Sequence, residues 1–242
     1  MRFSRPRAAL VLVLLALSQE SYALDPARTL TQYVHRTWQV QQGLPQAWIY
    51  SIVQTHDGYL WLGTQTGLVK FDGVRFTTVD EMDGVPSANM WVTHLVEDDR
   101  HALWIGTTQA GLIRLQDGIA TRYSQREGLP PGPIQCLFKD RQDHVWACTP
   151  AGLAELAQGK VRVLGTADGL TSPDVNAACV TPDGALTVGT GGNALLATWN
   201  GTRFVSRALP LPDAAGVQAM LCATDGTVWI GTSDGLIRAR GG

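Results

Sequence analysis

Trp61-Leu62-Gly63-Thr64 is the first of five copies of a short phrase, and the copies follow one another at steps of 43, 42, 41 and 42 residues. A period near forty residues with strand-like content is typical of a β-propeller, in which each repeat is one small sheet that cannot bury its faces alone. The later copies are Trp104-Ile105-Gly106-Thr107, Trp146-Ala147-Cys148-Thr149, Thr187-Val188-Gly189-Thr190 and Trp229-Ile230-Gly231-Thr232.

The repeats predict an all-β fold, a β-propeller of four-stranded antiparallel blades, as one domain over residues 24–242. In the clearest repeat, strands are expected at 92–96, 103–107, 111–115 and 120–123. Five repeats are visible, at about 39–80, 81–124, 125–165, 166–208 and 209–242.

Within the phrase, alternation along a strand places Trp61 and Gly63 on one face and Leu60 and Leu62 on the other. Large and small residues therefore alternate on a surface that a neighbouring blade must cover. We expect the repeated tryptophans to pack between blades rather than to form a sugar-binding row.

Residues 1–23 are predicted to be a secretory signal peptide. Three arginines precede an apolar run over 8–17, and Ser21-Tyr22-Ala23 supplies small residues for cleavage. The run is too short to span a bilayer, which takes about 20 residues; the alternative is a short uncleaved anchor. The expected location is the periplasm.

The charge balance argues against a nucleic-acid partner. Without residues 1–23 the chain carries 16 basic and 20 acidic side chains, and the basic ones are scattered without runs. Proteins that bind nucleic acid usually present a basic patch.

The four cysteines, Cys136, Cys148, Cys179 and Cys222, fall in predicted strands. Export permits disulfides, but a core of this size does not need them, so all four are expected to be reduced core residues. Cys136 and Cys148 lie in neighbouring strands of one repeat and are the single pair that merits a test for a bridge.

The stretch over 24–76 resembles the opening of two-component regulator propellers. The resemblance rests on Leu30-Thr31-Gln32-Tyr33, Trp38, Gly43-Leu44-Pro45-Gln46, the run Asp57-Gly58-Tyr59-Leu60-Trp61-Leu62-Gly63-Thr64, Gly67-Leu68 and Phe71-Asp72-Gly73. It implies a periplasmic sensor region of a bacterial receptor, followed in that family by a β-sandwich, a transmembrane helix and a histidine kinase or diguanylate cyclase. It further implies a receptor homodimer and membrane attachment through C-terminal regions not in this sequence.

The fifth repeat departs from the family pattern, because the sequence stops soon after its third strand. The expectation is therefore a fragment of a larger propeller. A smaller closed ring is the alternative, with residues 31–37 supplying the missing fourth strand.

A search for catalytic chemistry finds little. His56, His101 and His144 lie at the first hairpin of successive repeats, and because such positions rotate around a ring we expect them not to converge on a metal. No nucleophile elbow or phosphate loop occurs in the sequence. No catalytic residue, metal or cofactor is predicted.

A ligand surface is the better candidate. Polar and aromatic residues occupy comparable places just before the predicted inner strands, and we expect them to ring one face near the axis and to bind a small molecule, an oligosaccharide or a peptide. The alternative is that the tryptophans pack between blades and the amides cap turns. The candidate residues are Gln46, Trp48, Asn89, Trp91, Asp174 and Asn176.

The leading hypothesis is a non-catalytic, ligand-sensing propeller segment of a bacterial membrane receptor. Two rivals remain: a secreted propeller enzyme acting on carbohydrate as a lyase or hydrolase, and a stand-alone extracellular interaction module. A cluster of carboxylates or histidines converging on the axis would favour the enzyme.

Overall fold

A computed structural model describes residues 29, 31, 36–82, 85–86, 90–191, 195–209 and 216–240. The chain divides into two units, Met1–Thr37 and Trp38–Gly242, and every sheet among the described residues lies in the second. The predicted signal peptide lies outside the described residues. Within the described part of the chain, no helix has the length and apolar character needed to cross a bilayer.

Each repeat forms one antiparallel sheet, here called a blade, whose strands lie side by side in chain order. Blade 1 contains β1 (Ile49–Gln54), β2 (Leu60–Thr64), β3 (Gly67–Phe71) and β4 (Phe76–Val79), and a ribbon of β5 (Glu81–Met82) and β6 (Val85–Pro86) follows it. Blade 2 contains β7 (Val92–Glu97), β8 (Leu103–Thr107), β9 (Leu112–Gln116) and β10 (Ile119–Tyr123).

The remaining blades repeat this plan. Blade 3 contains β11 (Cys136–Lys139), β12 (Val145–Thr149), β13 (Gly152–Ala157) and β14 (Lys160–Leu164). Blade 4 contains β15 (Val175–Val180), β16 (Leu186–Thr190), β17 (Leu195–Trp199) and β18 (Phe204–Ala208). Blade 5 contains β19 (Val217–Cys222), β20 (Thr227–Thr232) and β21 (Gly235–Arg240). Short 3-10 turns occur at Val40–Gln42, Gln125–Glu127 and Thr166–Asp168.

The predicted all-β propeller architecture is confirmed, and the four strands expected in the second repeat differ from the observed ones by at most one residue at each end. The first strand of each blade, the inner strand, contacts the inner strand of the next, in the order β1, β7, β11, β15, β19. No comparable contact links β19 to β1 among the described residues. Blade 5 has three strands there, and the residues proposed to supply a fourth lie largely outside the described part.

Neighbouring blades meet at the glycine of the phrase. A Cβ built on Gly63 would lie 2.8 Å from Cγ1 of Val92 in the next blade, and one on Gly106 would lie 2.8 Å from Cγ2 of Ile134. Real side chains do not approach so closely, so a larger residue at position 63 or 106 would force its blade away from the next one. Trp61 packs in the same apolar cluster as Val92, as its predicted position between blades requires.

The indoles are also fixed by hydrogen bonds. Trp104 Nε1 donates to Asp98 Oδ2 over 2.8 Å, and Trp146 Nε1 donates to Asp140 Oδ2 over 2.8 Å. In blade 1 the acceptor at the same position is Thr55 Oγ1, 3.1 Å from Trp61 Nε1. Each acceptor lies six residues before its tryptophan, where the first hairpin begins, so one contact joins the hairpin to the blade interface.

Blade 4 lacks this indole because Thr187 stands in place of the tryptophan. An open cavity of about 1100 Å³ lies between blades 4 and 5 at this place. Thr187, Leu196 and Thr198 line it from blade 4, and Val228 and Ala239 line it from blade 5. The substitution at one position of the phrase accounts for the poor filling of this interface.

The expectation that all four cysteines are reduced is wrong. Cys136 and Cys148 are opposite residues of β11 and β12 and form a disulfide, with Cα atoms 4.8 Å apart. Cys179 of β15 and Cys222 of β19 form a second, with Cα atoms 5.7 Å apart. The sequence argument compared cysteines within one repeat, whereas the second bond links the inner strands of adjacent blades.

Filling the cavity between blades 4 and 5 is expected to stabilise the fold. Thr187→Trp restores the phrase, and Thr181 Oγ1 lies where Thr55 accepts the indole N–H in blade 1. We expect a gain of about 0.5–2 kcal/mol in the free energy of unfolding, measured by urea titration. Thr187→Val, which keeps the volume, is the control; equal stabilities of the two variants would contradict the cavity argument.

The two disulfides are expected to contribute unequally. Cys179–Cys222 closes a loop with a sequence separation of 43 residues and Cys136–Cys148 one of 12. Chain-entropy treatment gives about 4 kcal/mol for the longer loop and about 3 kcal/mol for the shorter. Urea unfolding of the double variants C179A/C222A and C136A/C148A measures the two losses, and a larger loss for the shorter loop would refute the expected order.

Candidate functional site

The start of each inner strand follows one local pattern. A residue buried against the phrase of the previous blade opens the strand: Val92, Ile134, Val175 and Val217 are at most 1% exposed, and Ile49 is the half-buried counterpart. In four blades the pairing register shifts directly after this residue, which marks a β-bulge. The residues on either side of the opening residue therefore leave the regular ladder.

We call these flanking positions the inner-strand row. Side chains from neighbouring blades meet along it, because the inner strands lie next to each other. Its described members are Trp48, Tyr50, Trp91, Thr93, Pro133, Gln135, Asp174, Asn176, Gly216 and Gln218.

The end of the row in blades 1 and 2 is aromatic. Trp48 is 71% exposed, and the rings of Tyr50 and Trp91 lie 5.4 Å apart. Trp48 therefore does not pack between blades, which removes that alternative for this residue. The Tyr50 and Trp91 rings are tilted by 55° and are both partly exposed, so they offer an amphipathic aromatic surface to a ligand.

The end of the row in blades 3 to 5 is polar. Gln135 Nε2 donates to Asp174 Oδ1 over 3.2 Å, and Asn176 Nδ2 donates to the carbonyl of Val217 over 3.0 Å. Both amide oxygens, Gln135 Oε1 and Asn176 Oδ1, are buried without a hydrogen-bond partner among the described residues. Unpaired buried acceptors cost free energy, but a ligand cannot reach these two oxygens, so the partly exposed carboxylate of Asp174 is the group of this end that a hydrogen-bond donor could meet.

Asp174 is held by its own backbone and by a close glycine. Its amide donates to Ser172 Oγ over 3.2 Å, and its carbonyl accepts from the Gly191 amide over 3.0 Å. A Cβ on Gly191 would lie 2.3 Å from Asp174 Oδ2, so a larger residue at position 191 would displace the carboxylate from this position. Gly191, the residue directly after β16, therefore leaves room for the Asp174 carboxylate in the row.

The remaining predicted site residues behave differently. Gln46 caps the turn between β2 and β3: its Oε1 accepts from the amide and the hydroxyl of Thr66, over 3.2 and 3.1 Å. Its side chain therefore stabilises a turn of blade 1, in agreement with the turn-capping alternative. Asn89 lies outside the described residues.

Sequence reasoning missed Tyr50 and Gln135, the two residues that link Trp91 and Asp174 to the blade before them. Both follow the opening residue of their strand by one position. Alignment of the repeats on that residue, rather than on the phrase, would have found them.

Of the three hairpin histidines, which are expected not to converge on one metal, two lie close together and the third lies apart. His56 Nδ1 lies 2.7 Å from Glu97 Oε1, and His101 Nδ1 lies 3.9 Å from the same oxygen. The third, His144, lies in blade 3 with its Nδ1 2.9 Å from Glu155 Oε1. Equivalent turns of adjacent blades are close together, although those of distant blades are not.

His94 is a partly buried histidine two positions after the opening residue of β7. Its Nδ1 has no hydrogen-bond partner among the described residues. Burial disfavours the charged imidazolium and lowers the pKa of His94, while a hydrogen bond with the backbone of Ile134 opposes this in part.

Comparison with known proteins identifies the repeat. Residues 43–66 match the family model described as two component regulator propeller. A region of 91 residues, 35% of this chain, is 30% identical to histidine kinase P4 of Formosa agariphila, of which it spans 7%. The resemblance inferred from the sequence is thereby confirmed.

Comparison with solved structures shows the same fold. The extracellular domain of a hybrid two component system from B. thetaiotaomicron is 26% identical with a TM-score of 0.71, over 84% of this chain and 30% of that one. A catalytically inactive virginiamycin B lyase from Staphylococcus aureus shares the fold at 14% identity and a TM-score of 0.64, over 80% of this chain and 66% of that one. The chain spans less than a third of the sensor proteins that it matches.

The depressed pKa of His94 predicts a pH-dependent stability. The unfolded chain binds the proton more readily than the folded chain, so the contribution of His94 is complete above the unfolded pKa of about 6.5 and is lost as the pH falls below it. We expect the free energy of unfolding to fall between pH 7.5 and 5.0, and His94→Leu to reduce that fall. His144→Gln is the control; an unchanged pH slope in His94→Leu would rule out this origin.

Proposed function

We propose that the chain, which carries a two component regulator propeller repeat at residues 43–66, is the ligand-sensing part of a bacterial membrane receptor. The receptor would hold it in the periplasm after export and couple it to a histidine kinase or diguanylate cyclase. Similarity to a histidine kinase and to the extracellular domain of a hybrid two component system supports this role.

The observation that carries the proposal is the composition of the inner-strand row. The exposed aromatic side chains of Trp48, Tyr50 and Trp91 are followed around the row by the polar side chains of Gln135, Asp174 and Asn176. Binding sites commonly combine aromatic surface with a few placed polar groups. The ligand class that fits is rich in hydroxyl or amine donors and has apolar faces, as an oligosaccharide has.

The proposal holds that the chain itself does not catalyse a reaction. The row holds one carboxylate, Asp174, whose side-chain partner is the amide of Gln135, and one phenol, Tyr50, which packs against Trp91 in the aromatic part of the row. General acid–base chemistry needs a second titratable group within reach. The histidines that converge lie at the opposite end of the inner strands, since Val92 and Glu97 end the same strand about 17 Å apart.

Ligand binding is tested with a library of soluble oligosaccharides screened by isothermal titration, with a peptide library alongside. For a ligand that binds the wild type, we expect Trp48→Ala and Asp174→Ala each to weaken binding at least about tenfold, since aromatic anchors dominate such sites. Ile119→Ala is the matched control, because Ile119 is 62% exposed and lies on β10, the strand of blade 2 farthest from its inner strand β7.

Two results would contradict the proposal. Binding that Trp48→Ala and Asp174→Ala leave unchanged would move the site away from the row. Reproducible turnover of an oligosaccharide or a lactone by the pure protein would contradict the non-catalytic role and would favour the enzyme alternative.

A further inference from the structure

Three side chains from two blades converge at the first hairpins of blades 1 and 2. We call them the hairpin cluster: His56, Glu97 and His101. One nitrogen or oxygen of each lies within 4.8 Å of the others, and no other such group of three occurs among the described residues. The imidazole rings are stacked, with centroids 3.7 Å apart and planes 22° from parallel.

The convergence follows from the blade repeat rather than from one side-chain orientation. At the interface of blades 2 and 3 the same three positions hold Asp99, Lys139 and Asp143, and they also meet. Lys139 Nζ pairs with Asp99 and lies 3.9 Å from Asp143, while the Asp99 amide donates to Asp143 Oδ1 over 2.7 Å. There the chain's own ammonium group supplies the cation. The hairpin cluster has no such lysine.

We propose that the hairpin cluster binds a divalent transition-metal ion, with Zn²⁺ as the model ion. Imidazole nitrogen and carboxylate oxygen are ligands of Zn²⁺ at about 2.0–2.2 Å, which makes the edge of a tetrahedral site roughly 3.3 Å. The observed separations from Glu97 Oε1, 2.7 Å to His56 and 3.9 Å to His101, bracket that edge. A metal ion lies in the plane of each imidazole that binds it, so the two stacked rings must rotate out of their parallel arrangement for all three atoms to reach one ion.

The surroundings suit a metal site. The His56 amide donates to Glu97 Oε2 over 3.0 Å and so orients the carboxylate, as hydrogen bonds to metal ligands commonly do. The Glu97 side chain is 15% exposed, whereas those of His56 and His101 are 50% and 57% exposed. The protein thus supplies three ligands from one side, and solvent supplies water as the fourth.

The ligand types suit a divalent transition metal. Imidazole nitrogen binds Zn²⁺, Ni²⁺ and Cu²⁺, and the Glu97 carboxylate adds a negatively charged oxygen ligand.

The backbone at His101 gives a way to test the cluster without disturbing the fold. His101 has φ of +64°, and the same hairpin position is Gly58, Gly184 or Gly226 in three other blades. Asp143 occupies the position in blade 3 with φ of +63°. His101→Gly and His101→Asn both suit this conformation, and Asp143→Gly is the matched control for the change to glycine.

The experiment is isothermal titration of ZnCl₂ into the purified, untagged, oxidised protein, in which the four cysteines are bonded. We expect one saturable equivalent per chain. His56→Ala, Glu97→Gln and His101→Gly should each weaken it at least about tenfold, whereas Asp143→Gly should bind as the wild type does. Zn²⁺ should also raise the Tm of the wild type and of Asp143→Gly, but not that of His101→Asn.

The proposal is overturned if none of Zn²⁺, Ni²⁺ and Cu²⁺ binds saturably, which would leave the cluster as a hydrogen-bonded contact between blades. It is equally overturned if the variants at His56 and His101 bind Zn²⁺ as tightly as Asp143→Gly does, because the ion would then lie elsewhere. Circular dichroism of each variant before titration identifies any that fails to fold, and His101→Asn replaces His101→Gly in that case.

Discussion

The close contact between the phrase of one blade and the opening residue of the next is the constraint on which the rest of the fold depends. Gly63 and Gly106 admit the opening residues Val92 and Ile134 at a distance that any side chain would prevent. This contact sets the spacing of the inner strands, and the indole of the same phrase fills the wider space farther out. The row and the hairpin cluster lie at the two ends of the inner strands that this contact aligns.

Where a blade has a different residue at a position of the phrase, the bonds or the packing around that position differ as well. In blade 3 Cys148 occupies the glycine position and bonds to Cys136 within its own sheet. In blade 4 the tryptophan is Thr187, and a cavity opens beside blade 5. Cys179, which pairs with Thr187 across β15 and β16, forms the bond to blade 5. A covalent link therefore joins the one pair of adjacent blades that lacks the indole.

Repetition explains how much of the fold the sequence could predict. Strand positions and turns follow from local pattern, so the strands of blade 2 were expected almost to the residue. The burial of the indole of Trp104 followed from alternation along one strand. Cys179 with Cys222, and His56 with His101, depend instead on which strands of different repeats are neighbours. Arguments confined to one repeat cannot supply that information.

In the candidate site, too, local sequence predicts some features and not others. Trp48, Trp91, Asp174 and Asn176 were found because they precede or begin inner strands, and the structure places them along one row. Gln46 shares the sequence context but turns toward the hairpin of its own blade, where the amide and hydroxyl of Thr66 are nearer partners. Sequence position fixes which end of a blade a residue occupies. Whether the side chain of that residue remains available to a ligand depends on the hydrogen-bond partners that the fold places within its reach.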